Sequence, residues 1–475
     1  MYPDAGVNAA ANNRRAPGSL RVAVVGSGIA GLAAAHTLND LTDLTLYEAG
    51  SYFGGHTHTV DVTLPDASHR PITFGVDTGF LVLNERTYPN LLALFEQLQV
   101  AIAPSDMSFS VQVPGAGRRG ETLQWSGSDL STVFAQRANL GNLRFWRMLG
   151  DILRFNRLAT RLAESAQDLG EGSPLLQPLG NFLAEHRFSA EFRDWYFLPM
   201  LGSIWSCPTD QMLQFPVATM VRFCHNHGLI QVTKRPQWYT VKGGARHYVD
   251  QIVGRLADAR LNRPVQQVLR DDSGVRIVSQ GGIVEHFDAV VLACHSDQAL
   301  ALLGEGARPD ERAVLGAIRY QSNRAVLHTD VSLMPQNRRA WAAWNYERSQ
   351  QPAQESAQVC LHYWLNRLQP LPTPVPVIVS LNPSRAIAPQ TVLGEYDYAH
   401  PVFDLAAIRA QGQVPGLQGQ QHTFFAGAWM GYGFHEDGLK AGLRATRALL
   451  DAHGLSTPAH HAGRRLQPTV PGIAA

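Results

Sequence analysis

Three glycines spaced as G-x-G-x-x-G are the residues of this chain whose types and spacing point most directly to chemistry. Gly26, Gly28 and Gly31 follow the apolar run VAVV and open a helix of small residues. Gly26 permits a tight strand-to-helix turn, Gly28 lets backbone amides approach a pyrophosphate, and Gly31 allows the helix to pack closely on the strand. The pattern predicts a dinucleotide-binding turn that includes Ser27 and Ala30.

An acidic residue stands where such a turn needs one. The next strand, LTLYEAG, ends in Glu48, which lies twenty residues beyond Gly28 and is followed by Ala49. An acid at this distance binds the adenosine ribose hydroxyls and disfavours the 2′-phosphate of NADP. Gly54 and Gly55 then offer a second backbone-only loop, which a ligand as long as extended FAD would require. The sequence therefore predicts FAD.

With these motifs the chain resembles the superfamily of FAD-dependent amine oxidases and phytoene desaturases. Three further stretches match that pattern in order: FGVDTGFLVLN at 74–84, TVKGGARHYVDQI at 240–252 with the strands after it, and TFFAGAWMGYGFHEDGLKAGLRATRALL at 423–450. Two positions depart from the pattern. This chain has His56 where arginine is usual, and Ala428 where an acid is usual.

The resemblance implies further contacts with the flavin. The 74–84 segment would run along the face of the ring, and the backbone at Val265 would meet the adenine. The C-terminal helix would point its N-terminus at the pyrimidine edge, where a helix dipole stabilises the negative charge of reduced flavin. Glu436 could supply the contact that Ala428 lacks, although helix capping is an alternative role for it and its neighbour. We expect His56 to contact the pyrophosphate. The other residues assigned in this way are Thr78, Gly79, Phe80, Gly427, Asp437 and Gly438.

Within this superfamily, the nearest resemblance is to a bacterial group of predicted NAD/FAD-binding proteins. The shared patterns are GGH, DTGF, NERTYPNL, WYTVKGG and GYGFHEDGL, and the resemblance covers residues 20–452. Members of that group accompany relatives of cyclopropane-fatty-acyl-phospholipid synthase. The resemblance thus implies work on unsaturated or methylated acyl chains.

The elements that must position these residues indicate an α/β fold of the amine-oxidase type. It combines a discontinuous Rossmann-type FAD-binding domain with an α+β substrate domain. Helical patterns fill the first insertion, and strand patterns such as RAVLHTD, AAWNYE, QVCLHYWLN and PVIVSLN fill the second, as a sheet roofing the flavin. The predicted division is 21–85, 235–300 and 413–454 for FAD binding, 86–234 and 301–412 for substrate, and disordered ends at 1–20 and 455–475.

Composition excludes several classes of protein. A net charge of +1 over 475 residues gives no basic field for nucleic acid. No long uninterrupted apolar run indicates a membrane span, so we expect a cytoplasmic enzyme, with a peripheral contact at the inner membrane surface left open. The four cysteines are scattered and form no metal-ligand spacing, so no metal is predicted. Some members of the superfamily hold the flavin covalently through a cysteine of the C-terminal loop; the corresponding loop here, 426–434, contains none, so the resemblance implies non-covalent FAD.

The substrate is predicted from the apolar stretch at 195–223, where only Asp210 and Arg222 are charged. Core packing is the alternative interpretation of each residue there, but the whole stretch suits a long apolar ligand. The leading hypothesis is therefore dehydrogenation or isomerisation of an acyl chain, with hydride passing to flavin N5. Candidate lining residues are Trp205, Trp364, Trp429 and Tyr432.

Proton acceptors for such a reaction are few in the sequence. The candidates are Lys242, His247 and His435, and a structural role is the alternative for each. Lys242 could also act through a water near flavin N5 to promote reoxidation. The residues leave the final electron acceptor unidentified. Two competing functions stay open: an amine oxidase that releases peroxide, and a partner protein that binds flavin without catalysis.

Overall fold

The computed structural model describes residues 19–165, 174–230, 236–349 and 358–456. Apart from two residues at each end, the termini predicted to be disordered lie outside these ranges. No helix of the described ranges is long and apolar enough to cross a bilayer.

A five-stranded parallel sheet forms the predicted nucleotide-binding fold. Its four longer strands are buried almost throughout, because helices and loops cover both faces of a parallel sheet. The three predicted chain segments all contribute strands, which confirms the discontinuous α/β architecture. From one edge to the other the strands are β10 (Ala259–Arg260), β2 (Asp43–Tyr47), β1 (Arg21–Val25), β14 (Ala289–Leu292) and β20 (Thr423–Phe425).

Two helices pack on one another against this sheet. The first helix, Ile29–Leu38, is buried on nearly every side, and the C-terminal helix, His435–Ala452, lies directly on it. Their backbones come very close. A Cβ at Gly442 would lie 2.3 Å from the Ala30 carbonyl oxygen, so only glycine permits this contact.

A seven-stranded mixed sheet forms the second part of the molecule. The strands predicted in the second insertion are all present, but the first insertion, predicted as helical, adds two more strands. The strand pair that joins the two insertions, Trp344–Glu347 with Phe109–Val113, is parallel, and every other strand pair of this sheet is antiparallel. The order is β19 (Val392–Val402), β15 (Arg319–His328), β18 (Ile378–Leu381), β17 (Cys360–Trp364), β16 (Trp344–Glu347), β7 (Phe109–Val113) and β8 (Leu123–Ser126).

Three small antiparallel sheets connect these layers. They are β3 (Thr59–Pro65) with β4 (Pro71–Asp77); β5 (Leu83–Asn84), β9 (Trp238–Val241) and β6 (Ile102–Ser105); and β11 (Val265–Asp271), β12 (Gly274–Ser279) and β13 (Ile283–Phe287).

Most remaining helices lie in the first insertion: Pro89–Gln97, Leu130–Val133, Leu143–Ser165, Leu179–Glu185, Ala190–Phe192, the π-helical turn Arg193–Phe197, Leu198–Trp205, Thr209–Met212 and Val217–Asn226. The others are Arg246–Val253, Ser296–Leu303, Pro309–Gly316, Leu365–Leu368 and Leu405–Gln413.

Some helices of the two insertions, which the sequence assigned to the substrate domain, pack against the parallel sheet. The helix Pro89–Gln97, assigned to the substrate domain, buries Leu91, Leu94 and Phe95 in the same core as the first helix. Leu315 and Ala407, from the second insertion, pack against the other face of the parallel sheet. The apolar face of a helix decides where it packs, whatever the chain segment to which it belongs.

Candidate active site

One cavity of about 680 Å³ runs from the parallel sheet to the seven-stranded sheet. Its volume lies in the ~300–1,000 Å³ range of small-molecule and cofactor sites. The carboxyl ends of β1 and β2 open into it, as expected for a ligand of an α/β sheet. Thirteen predicted cofactor residues line it: Gly26, Ser27, Gly28, Ala30, Glu48, Ala49, Gly54, Gly55, His56, Gly79, Phe80, Val265 and Gly427.

Backbone alone builds the middle of the cavity. Gly28 caps the first helix with φ −62° and ψ 174° and offers no side chain, so the amides of the first turn face open space. The second glycine loop meets it directly, since a Cβ at Gly55 would lie 3.2 Å from the Gly28 Cα. At Gly28 itself a Cβ would meet no atom within 4 Å. This cradle fits a pyrophosphate.

Glu48 is fixed beside the cradle. Its Oε2 accepts hydrogen bonds from the Ser27 backbone N–H at 3.0 Å and from Ser27 Oγ, and its Oε1 accepts from the Gly50 N–H at 2.8 Å. Ser27 Oγ also accepts from the Gly54 N–H at 3.1 Å. The hydroxyl thus joins Glu48, the acid predicted to bind a ribose, to both glycine loops, a role that the sequence did not predict for Ser27.

His56 faces the cavity without a partner for Nε2, which is buried. Around its ring lie those of Tyr398 at 5.0 Å, His400 at 5.2 Å and His295 at 6.4 Å. Burial lowers the pKa of His56 well below its usual range, so the ring is neutral. A buried nitrogen without a hydrogen-bond partner is unfavourable, and a polar group of a bound cofactor would satisfy it.

Two predicted cofactor residues, Gly31 and Thr78, contact other parts of the protein instead of lining the cavity. Gly31 lies outside the cavity lining and serves the close packing predicted for it, since a Cβ there would lie 1.9 Å from the Gly26 carbonyl oxygen. Thr78 is turned away from the cavity lining, and its Oγ1 hydrogen-bonds to the Tyr398 hydroxyl at 2.7 Å and to the His58 carbonyl at 3.0 Å.

After His435, the first turn of the C-terminal helix contacts protein rather than the cavity. Glu436 accepts hydrogen bonds from Asn90 Nδ2 at 2.6 Å and from the Leu91 N–H at 3.0 Å, so it caps the helix Pro89–Gln97. Asp437 accepts from the N–H groups of Tyr432 and Phe434, and burial raises its pKa to about 6. Gly438 packs on Ile29. Both carboxylates, Glu436 and Asp437, therefore cap helices, which was the alternative interpretation of them.

The three candidate proton acceptors fall in different places. Lys242 and His247 are exposed and do not line the cavity, because the turn that carries them faces solvent. His435 does line it, with its ring stacked on Phe80 at 3.7 Å. Its Nε2 is shared with the hydroxyls of Thr57 at 2.8 Å and Tyr248 at 3.0 Å. Because both hydroxyls already engage Nε2, this nitrogen is not available to a substrate, and burial also lowers the pKa of His435 to about 3.

Of the four predicted lining aromatics, only Trp429 lines the cavity, where its Nε1 donates to the Cys294 carbonyl at 3.1 Å. Trp205 and Tyr432 are hydrogen-bonded to one another instead: Trp205 Nε1 donates to the Tyr432 carbonyl oxygen at 3.2 Å. Trp364 lies edge-on to Trp341 on the other face of β17. Because strand side chains alternate, its neighbour Tyr363 faces the cavity, together with Trp238 and Trp344.

The described residues that line the end of the cavity away from the parallel sheet carry no carboxylate, lysine or arginine. Among the described residues that line the whole cavity, Glu48 and Arg263 are the only members of the Asp, Glu, Lys and Arg classes, and both lie at the end next to the parallel sheet. The side chains at the far end are Leu81, Val82, Met107, Ser203, Ile204, Ser206, Phe223, His227, Leu229, Trp238, Trp344 and Tyr363.

His227 is the basic group at this end, and the sequence did not predict it. Its Nδ1 lies 3.0 Å from the Phe223 carbonyl oxygen, which can only accept, so Nδ1 carries the proton and Nε2 keeps a lone pair. The ring stacks on Phe223 at 3.9 Å, and burial lowers its pKa to about 4. In the run CHNHG nothing distinguishes His227 from His225, so only the fold identifies it.

A second polar cluster lies in the seven-stranded sheet. Glu347, Cys360 and His362 place three potential metal-ligand atoms within 4.8 Å of one another. However, Arg385 already binds both carboxylate oxygens of Glu347, at 3.0 and 2.9 Å, and His362 Nε2 approaches one of them at 3.1 Å. The cation that the carboxylate needs is therefore a guanidinium, and the cluster holds strands together.

Comparison with known proteins gives a family and a fold. A family model described as flavin containing amine oxidoreductase matches residues 29–327, more than half of the chain. A search of curated protein sequences finds no match.

Solved structures resemble the whole molecule. A CLA-producing fatty acid isomerase from P. acnes has a TM-score of 0.60 and 16% identity, covering 91% of this chain and 98% of that one. Cyclohexylamine oxidase from Brevibacterium oxydans IH-35A has a TM-score of 0.64 and 18% identity, covering 92% and 100%. Putrescine oxidase bound to putrescine has a TM-score of 0.64 and 14% identity, covering 91% and 99%. At such identities the likeness concerns the fold alone.

Proposed function

This chain belongs to the flavin containing amine oxidoreductase family, and from that premise we propose that it binds FAD non-covalently and dehydrogenates or isomerises an apolar acyl-chain substrate. The family makes it a flavin oxidoreductase. FAD, the mode of its binding and the substrate are our proposal.

The cradle supports FAD as the flavin. Gly28 and Gly55 leave backbone room for a pyrophosphate, Glu48 is held where an adenosine ribose would lie, and Val265 lines the same end of the cavity. Cys294 also lines the cavity, but burial raises its thiol pKa to about 12. Since the thiolate is the nucleophile, this cysteine is unsuited to covalent attachment.

One observation carries the substrate proposal: among the described residues, the far end of the cavity offers no carboxylate, lysine or arginine. A charged substrate would lose its hydration there without gaining an ionic partner, whereas a hydrocarbon chain loses nothing. Met107, Ile204 and Leu229 provide apolar contact area, and Ser203 and Ser206 are small. An acyl chain suits this lining better than an ammonium group does.

His227 is the residue that we assign to proton transfer. A bound flavin supplies a two-electron acceptor for the hydride that leaves one substrate carbon. For a double bond to form, the neighbouring carbon must lose a proton, and His227 Nε2 has the lone pair to take it. A pKa of about 4 suffices, because a carbon next to one that has lost hydride is strongly acidic. The Phe223 carbonyl keeps the proton of the neutral ring on Nδ1.

Amine oxidation is the second candidate. The rings of Trp238, Trp344 and Tyr363 line the far end, and aromatic rings offer a large packing surface to the apolar body of an uncharged amine. Cyclohexylamine oxidase shares the fold. The absence of an acid among the described lining residues counts against polyamines in particular, because their second ammonium group would lack a counter-ion.

The test is an anaerobic titration of the purified yellow protein, followed by flavin absorbance at about 450 nm. Micelles of an unsaturated phospholipid, chosen from the implied link to cyclopropane-fatty-acyl-phospholipid synthase relatives, are compared with cyclohexylamine. We expect bleaching by the lipid or, for an isomerase, a shifted double bond in the recovered lipid. Bleaching by the amine alone would establish the second candidate.

His227→Gln is the matched variant, because glutamine keeps a polar side chain but offers no base. We expect the rate of substrate-driven bleaching to fall by about 10²–10⁴-fold, while the flavin content and dithionite reduction stay unchanged. Wild-type protein that is photoreduced normally but responds to neither substrate class would support the non-catalytic flavin-binding alternative and refute the proposal.

A further inference from the structure

Five large apolar side chains are exposed within a short stretch of the first insertion. Leu143 is 84% exposed, Leu130 79% and Trp146 47%, and Leu140 and Leu153 are about half exposed. Single exposed leucines are ordinary, but a group of them on one surface marks a site of interaction. Elsewhere in the described residues only Ile283, Val284 and Val331 are comparable.

These side chains share one surface. Trp146 Nε1 donates to the Leu140 carbonyl at 2.9 Å, and the Trp146 ring lies 5.3 Å from that of Phe134, in the turn after the helix Leu130–Val133. Leu143, Trp146 and Leu153 follow the three- and four-residue spacing of one face of the helix Leu143–Ser165. We call the outer face of 118–165 the arginine-leucine surface.

The same surface is strongly basic. Residues 118–165 contain eight arginines and four acids, a net charge of +4, whereas the whole chain carries only +1. Arg144 is paired with Glu191 and Arg154 with Asp151. The guanidinium of Arg118 lies 2.8 Å from where a Cβ of Gly141 would be, between Leu140 and Leu143. The further exposed arginines are Arg119, Arg137, Arg147, Arg157 and Arg161.

We propose that the arginine-leucine surface docks on an anionic lipid bilayer. Leucine and tryptophan side chains enter the acyl boundary, while neighbouring arginines extend to lipid phosphates. Each basic side chain near an anionic surface raises the binding constant about fivefold. Guanidinium and apolar groups alternate on this surface, and an anionic bilayer offers a partner for each, since its phosphates lie next to its acyl chains. An apolar protein partner would instead leave the arginines buried and unpaired.

The surface is also near the cavity. The inner face of the helix Leu143–Ser165 packs on the helical stretch after Ala190, with the Phe155 ring 4.4 Å from that of Phe197 and Arg144 over Trp195. That stretch continues into Leu198–Trp205, whose Ser203 and Ile204 line the cavity. The helix Leu143–Ser165 and the helical stretch from Ala190 to Trp205 therefore lie between the arginine-leucine surface and the far end of the cavity.

The experiment is flotation of the flavin-loaded protein with vesicles of phosphatidylcholine, with or without about 30 mol% phosphatidylglycerol. We expect binding to the anionic vesicles only, weakened by salt. The double variant Leu143→Glu/Trp146→Glu should lower the bound fraction at least about tenfold. The charge variant Arg137→Gln/Arg147→Gln should lower the affinity for anionic vesicles about thirtyfold without changing apolar area. Ile283→Glu/Val284→Glu, on β13, is the matched control and should bind like wild type.

Flavin content and melting temperature show that each variant is folded, and the measurement needs no turnover, so it stands or falls independently of the proposed reaction. Equal binding to neutral and anionic vesicles would overturn the proposal, as would no binding to either or an equal loss in the control. Self-association without lipid that Leu143→Glu/Trp146→Glu abolishes would also overturn it, in favour of a protein interface.

Discussion

Neutral imidazoles supply much of the polar character of the cavity. Burial lowers the pKa of each, so at neutral pH they accept or donate hydrogen bonds without bringing charge next to a bound ligand. The charge of a flavin changes on reduction. These neutral side chains therefore favour neither the oxidised nor the reduced flavin by their own charge. The residues are His56, His227, His295, His400 and His435.

Gly28 offers the sharpest test of the cofactor cradle. Gly28→Val should leave the fold intact, because a Cβ there meets no atom within 4 Å and the backbone is extended. The valine would fill the space for the pyrophosphate, so we expect flavin affinity to fall at least tenfold, about 1.4 kcal/mol or more. Flavin content per chain and the circular dichroism spectrum measure the two effects. A yellow, stoichiometric Gly28→Val protein would refute the cradle.

At the scale of elements, the contact between the first and last helices depends on glycine. Gly442→Ala would place a methyl group 2.3 Å from the Ala30 carbonyl, so the helices must separate. We expect a loss of about 1–3 kcal/mol in the free energy of unfolding, measured by urea denaturation.

Gly150→Ala is the matched control, since Gly150 lies inside the exposed face of the helix Leu143–Ser165 with no atom within 4 Å of a Cβ. There the same substitution should stabilise the protein by about 0.5–1 kcal/mol. Equal effects at both positions would show that helix propensity, not backbone contact, decides the outcome.

Local elements were predictable because their signals are local. The run VAVV, the three glycines and Glu48 define a strand, a turn and a second strand within thirty residues, and the structure places them as predicted. The strands β7 and β8 pair with one another, but β7 joins the rest of the seven-stranded sheet through a partner far along the chain, since Phe109 pairs with Trp344, and the sequence did not indicate this pairing. The sequence of a short apolar strand does not indicate which distant strand it pairs with.

The far end of the site was less predictable for a related reason. Trp364 and Tyr363 are adjacent in sequence and equally plausible as lining residues, yet strand alternation turns only Tyr363 to the cavity. The sequence shows no signal for which face of β17 is inward. Helix packing likewise decides that His227, and not an exposed candidate such as Lys242, reaches the cavity.

For the whole molecule, the shifted pKa values predict how stability depends on pH. His227 and His400 have pKa values of about 4 and His435 about 3, below the ~6.5 of an unfolded chain. The unfolded state then binds more protons, so their contribution to stability is lost as pH falls from about 6.5 towards 4. Asp77 and Asp437, with pKa values of about 6, act in the opposite direction over pH 6 to 3.8.

The histidines outnumber these two acids, so we expect the free energy of unfolding to fall by a few kcal/mol between pH 7 and about pH 4.5. Urea denaturation across this range measures it. His400→Gln should flatten the dependence, and Asp77→Asn, which removes an opposing group, should steepen it. A stability that rises on acidification in wild type would contradict the neutral state of the cavity histidines.

The pairing of β16 with β7 also bears on how the chain reaches this state during synthesis. Residues 109–113 emerge from the ribosome long before residues 344–347, and the edge of the parallel sheet next to β14 stays open until residues 423–425 appear. Neither sheet can be completed before these later residues have emerged. Until then the nascent chain must keep both open edges from pairing wrongly, so chaperones that cover exposed strand edges would assist its folding.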